Sequence, residues 1–95
     1  MKIAINKCYG GFCLSDDAEA LVRSKYKALT GKGEVWSYTL ERNDPILIEV
    51  IEELGETANG SYAELKIVEI PDDINWVIQE YDGIEWVAEV HQTWE

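Results

Sequence analysis

Two cysteines, one histidine and a run of glutamates near the C-terminal end are the side chains of this 95-residue sequence most open to chemical use. A thiol attacks only as thiolate, which at neutral pH needs a neighbouring base or positive field. Cys8 and Cys13 stand far along the chain from the one imidazole, His91, and no spacing rule joins them. A Cys-x4-Cys pair with one distant histidine also falls short of the four ligands that structural zinc takes. Buried thiols are expected at both positions, with no metal and no cofactor. A single histidine assembles no Ser-His-Asp order, and no acid pair announces a glycosidase. The chain is expected not to be an enzyme.

The glutamates are more telling once the element that carries them is drawn. Asp82-Gly83 between two strand-like runs is the strongest short hairpin signal, because a two-residue type I′ turn needs positive φ at both positions. With that turn Tyr81 faces Ile84, Glu80 faces Glu85, Gln79 faces Trp86, Ile78 faces Val87, Val77 faces Ala88 and Trp76 faces Glu89. Side chains alternate along a strand, so Val77, Tyr81, Ile84, Trp86, Ala88 and Val90 share one face, expected to be core. The other face carries Ile74, Trp76, Ile78, Glu80, Glu85, Val87, Glu89 and His91. Like charges opposed across a strand pair repel, so Glu80 against Glu85 asks for a compensating cation. Solvation beside an exposed turn, a divalent metal, or Lys and Arg from another protein would each supply an answer. Solvation is the default because the pair lies next to the turn, and Trp76 beside a charged rim puts a protein partner second. Trp94, near the end, could close the core or mediate an oligomer.

A second candidate lies near the start. Tyr9-Gly10-Gly11-Phe12 breaks a strand sharply, and paired glycines let the backbone turn and approach something closely. The spacing matches neither the dinucleotide fingerprint nor the P-loop, and the following helix opens with Asp16 and Asp17, which repel an anion. Either the turn lets Tyr9 and Phe12 pack, or those rings meet a ligand or partner.

The remaining elements follow from periodicity. Lys2 to Cys8 suits an opening strand, with Ile3 and Ile5 opposed to Ala4 and Asn6. Ser15 offers a cap, and Ala18, Leu21, Val22, Tyr26 and Leu29 form a helical stripe that Gly31 closes. Glu34 to Arg42 alternates as a strand, with Trp36, Tyr38 and Leu40 expected inward. Asp44-Pro45 starts a second helix whose face is Leu47, Val50, Ile51, Leu54 and Ala58, ending at Gly55 or at Asn59-Gly60. Tyr62 to Ile70 is a third strand, and the hairpin completes the order β-α-β-α-β-β-β. That is an α+β single domain, residues 1–95, with a mixed or antiparallel sheet and two helices packed on one face.

Composition bounds the partners. A hydrophobic fraction of 46% is that of a globular chain, and 19 acids against 8 bases leave a net charge of −11. Such a surface argues against direct nucleic-acid binding, whose affinity comes from Lys and Arg on phosphates, and permits a basic protein partner or an acidic nucleic-acid mimic. No apolar run reaches the ~20 residues of a membrane span, so a cytoplasmic, membrane-free location is expected. An exposed strand edge could also pair two copies in a homo-oligomer.

The run from Lys2 to Phe12 (KIAINKCYGGF) with Leu14-Ser15, Arg42-Asn43-Asp44-Pro45, the run from Ala63 to Asp73, Tyr81-Asp82-Gly83, Glu85-Trp86 and Thr93-Trp94 resemble small phage and prophage proteins. The resemblance carries no catalytic motif. It implies a viral protein made in a bacterial cytoplasm, where small acidic proteins often block host machinery. The expected role is a phage accessory protein that binds a host protein with a basic surface, such as a component of antiviral defence. Its candidate contacts are Tyr9, Gly10, Gly11, Phe12, Trp76, Glu80, Glu85, Glu89, His91 and Trp94. The alternative is a sponge that holds a nucleotide ligand near Gly10-Gly11, with Tyr9, Phe12 or Trp94 stacking on the base.

Overall fold

A computed structural model describes residues 1–89 of the chain, so the expectations for Val90, His91 and Trp94 lie outside the described residues. The fold is α+β and its sheets are antiparallel. Strand β1 (Lys2–Asn6) pairs with β2 (Leu65–Glu69) from Lys2 opposite Glu69 to Asn6 opposite Leu65. Strands β3 (Trp76–Tyr81) and β4 (Ile84–Glu89) form a second, two-stranded sheet. Its register is the one that Asp82-Gly83 dictates, pair for pair, with φ of 51° and 93° at the two turn residues. The expected single sheet is thus divided into two pairs, with β4 lying against β1.

Both helices begin and end where their caps place them. Helix α1 (Asp16–Thr30) starts where Ser15 Oγ accepts from Ala18 N at 3.2 Å, and stops at Gly31, whose N–H donates to Lys27 O from a left-handed conformation. Helix α2 (Pro45–Leu54) starts at Asp44, whose carboxylate accepts from Ile46 N and Leu47 N at 2.9 and 3.1 Å. A 3₁₀ turn over Gly55–Ala58 carries the chain on to Asn59. The apolar face expected of α2 is buried: Leu47, Val50, Ile51 and Ala58 pack with Ala18 and Val22 of α1 and with Ala4 of β1. Ile3 and Ile5, on the opposite side of β1, are buried as well, so this strand is covered on both faces. Leu29, expected in the α1 stripe, is 73% exposed in the last turn of the helix, at the rim of a surface groove shared with Ile46 and Glu49 of α2.

The second expected strand is not a strand. Ser37–Thr39 is a 3₁₀ turn, in which Thr39 N and Leu40 N donate to Trp36 O and Ser37 O. Local side chains outcompete a ladder here: Thr39 Oγ1 donates to Trp36 O at 2.7 Å, while the Glu19 carboxylate accepts from Ser37 N and Ser37 Oγ. Trp36 and Tyr38 therefore point outward rather than inward, 51% and 80% exposed, with their rings stacked at 6.5 Å and the Arg23 guanidinium over Trp36. Leu40 packs on the core as expected. A trace of the strand survives at Arg42, whose carbonyl accepts from Ala4 N at 2.8 Å and so occupies one position along the free edge of β1.

Candidate functional site

The seam between β1 and β4 is where the hairpin joins the rest of the molecule, and side chains close it. Beyond Ala4, the next outward N–H of β1 is that of Asn6, which donates to Glu85 Oε1 at 2.9 Å. Arg42 holds the same carboxylate with both arms, Nη1 to Oε1 at 2.6 Å and Nη2 to Oε2 at 2.8 Å, and its Nη1 also donates to Ala4 O at 3.2 Å. The two side chains thereby satisfy backbone groups that a third strand would otherwise meet. Phe12 lies beneath the guanidinium, with the ring centroid 3.7 Å from Cζ. Asn6 completes the seam: its Nδ2 donates to Gly83 O at 2.7 Å and its Oδ1 accepts from Glu64 N at 2.8 Å.

This seam corrects the reading of the hairpin faces. Glu85, expected on an offered acidic surface, is 5% exposed and neutralised by Arg42 of its own chain. It draws the middle of its face inward, while Glu80 and Glu89 at the two ends of that face stay exposed. Trp76, Ile78 and Val87 are half-buried beside it, whereas on the face expected to be core Ile84 and Ala88 are only half-buried and Val77, Tyr81 and Trp86 stand in solvent, at 42%, 70% and 42% exposure. The alternation was right and its orientation inverted, because a paired carboxylate can be buried where an unpaired one cannot. Trp86 Nε1 donates to Gln79 Oε1 at 3.0 Å, a cross-strand bond on the exposed side.

The other candidates divide. Glu80 and Glu89 are exposed, and no ion pair engages them among the described residues. Tyr9 is 71% exposed. Phe12 is half-buried under Arg42 and is not an offered ring. Gly10 and Gly11 do bring backbone close to something, and that something is this chain. A Cβ on Gly10 would fall 2.0 Å from Tyr62 O, and one on Gly83 would fall 2.4 Å from Tyr9 O. The loop is packed against Tyr62 and the hairpin turn, so the space beside Gly10 where a nucleotide was expected is filled by protein. The thiols separate too: Cys8 is half-buried, but Cys13, expected buried, is exposed, with its Sγ lying beside Gly60.

Arg42, Asn6 and the outward trio Val77, Tyr81 and Trp86 were not among the candidates. Parity placed the trio on one face, but choosing which face looks outward required knowing the partner of Glu85, a contact 43 residues away in the chain. Comparison with protein-family models, with curated proteins and with solved structures finds no match to this chain, so its own residues carry the functional reading.

Proposed function

We propose that this chain is a non-enzymatic phage accessory protein that docks on a basic surface of a bacterial host protein through the outer face of the β3–β4 hairpin. One observation carries the reading: Val77, Tyr81 and Trp86 stand exposed together on one face of a hairpin. Exposed rings grouped in this way mark contact surfaces, and Trp and Tyr are the side chains that most often supply binding energy there. Exposed Glu80, Asp82 and Glu89 rim the same hairpin, and the net charge of −11 selects a basic partner and speeds its approach. The bacterial context comes from the resemblance to phage proteins, and a defence component is the partner class that context favours.

Capture from bacterial lysate on immobilised protein tests this. A specific host protein should be retained, its recovery falling at least tenfold for Trp86→Lys and severalfold for Glu80→Lys or Glu89→Lys. Glu56→Lys, an equal change of charge away from the hairpin, should leave recovery unchanged. Equal capture by all four variants would reduce the effect to bulk charge and end the proposal.

A further inference from the structure

The hairpin also presents unpaired main chain. β3 is bonded to β4 on one side, and on the other it meets no strand among the described residues. A two-residue turn makes Tyr81 and Ile84 a hydrogen-bonded pair, so Gln79 with Trp86 and Val77 with Ala88 are bonded pairs as well. The N–H and C=O groups of Trp76, Ile78 and Glu80 therefore point away from β4, and no backbone bond engages them among the described residues. Free edges of this kind are usually blunted by proline, lysine or a bulge, yet β3 reads WVIQEY and pairs without interruption. On β1, by contrast, the outward groups of Ala4 and the outward N–H of Asn6 are met by Arg42 and Glu85.

Charge chooses the occupant. Asp72 is held by the N-terminal ammonium of Met1, but exposed Asp73 precedes the strand and Glu80 and Asp82 mark its far end, and none of these three is in an ion pair among the described residues, so acids stand at both ends of the open edge. A second copy of this chain would bring the same acids and a further −11 to the seam. An extended segment with alternating Lys or Arg and apolar side chains meets all three features: bonding groups, acids, and Val77 with Tyr81 on the outer face. We infer that the partner adds such a basic strand along β3, extending the hairpin to three strands. This deepens the docking proposal and rests on it.

The test uses defined probes on the full chain: an acetylated Lys-Val-Lys-Val-Lys-Val amide, its Glu-Val counterpart, and a Lys-Val version with proline at the fourth position. Amide hydrogen exchange followed by NMR should show the Ile78 and Glu80 N–H groups slowed at least tenfold by the first peptide and unmoved by the other two. Glu80→Pro deletes an outward donor carried by an exposed residue and should abolish the effect, whereas Glu80→Gln keeps the donor and should weaken it severalfold. If Glu80→Pro does not fold, the exchange pattern of the wild-type chain decides alone. Equal slowing by the acidic peptide, no slowing by any probe, or slowing elsewhere would overturn the inference. So would protection that grows with protein concentration alone, which would assign the edge to a second copy. Loss of lysate capture in Trp86→Lys with Ile78 and Glu80 unmoved by every probe would leave outer-face docking standing and strand addition refuted.

Discussion

Arg42 and Glu85 do the work that a strand would do at the edge of β1, and the cost of removing either follows from what is left behind. The Glu85 side chain is 6% exposed and that of Arg42 25%, so the pair is largely but not wholly desolvated. Arg42→Met should cost about 3 kcal/mol in urea denaturation, the low end of the range for orphaning a buried charge. Glu85→Ala strands both the guanidinium and the Asn6 N–H and should cost a similar amount, about 3 kcal/mol. The double variant should lose at least about 1 kcal/mol less than the sum, since each single change already breaks the shared bonds. Strict additivity would mean the pair carries no coupling. At Tyr26, desolvation and then the hydrogen bond to Asp44 push the phenol up to about 12. The unfolded chain ionises tyrosine near 10, so this group contributes stability below about pH 10 that is lost as pH rises towards 12. Ultraviolet difference titration should find a tyrosine step near pH 12, and Tyr26→Phe should remove it. A late step that survives the substitution would place it elsewhere.

At the scale of elements, the hairpin turn and the glycine loop are fitted to one another, and substitution separates space from conformation. Gly11 and Gly83 both have positive φ, 91° and 93°, but a Cβ on Gly11 meets nothing within 4 Å, while one on Gly83 meets Tyr9 O at 2.4 Å and Gly11 N at 2.7 Å. Gly11→Ala should cost about 1 kcal/mol from strain alone. Gly83→Ala adds a backbone collision and should cost at least about 2 kcal/mol more, read as a lower denaturant midpoint at unchanged slope. Equal costs would mean that the two loops do not touch. The same contrast explains what could be read in advance. Caps at Ser15 and Asp44, the Asp82-Gly83 register and the α2 face are set by neighbours within a few residues, and they were legible. The segment from Glu34 to Arg42 was not, because Glu19 of α1 holds Ser37 and offers its backbone an alternative to a ladder. The orientation of the hairpin was hidden for a similar reason: Glu85 finds Arg42 only in the folded chain.

For the molecule as a whole, a strong negative charge and an exposed apolar face work against each other. At neutral pH each copy carries −11, and like charge keeps the exposed Val77, Tyr81 and Trp86 of separate molecules apart. The isoelectric point is near 4.3, so acidification removes the repulsion while leaving the face in place. Static light scattering should therefore report a monomer at pH 7 and rising association as pH falls towards 4.3, with added salt producing a weaker form of the same trend at pH 7. If the hairpin face is the surface that meets, Val77→Lys with Trp86→Lys should suppress association at a pH matched to the shifted isoelectric point of the variant. Matching matters because two added lysines change net charge as well as the face. Leu29→Lys with Tyr38→Lys changes charge equally at exposed apolar positions off the hairpin, and at its own isoelectric point it should associate as the parent does. Suppression by that pair, and not by the hairpin pair, would move the adhesive surface to the region of α1 and the Trp36–Tyr38 rings and leave the hairpin without its assigned role.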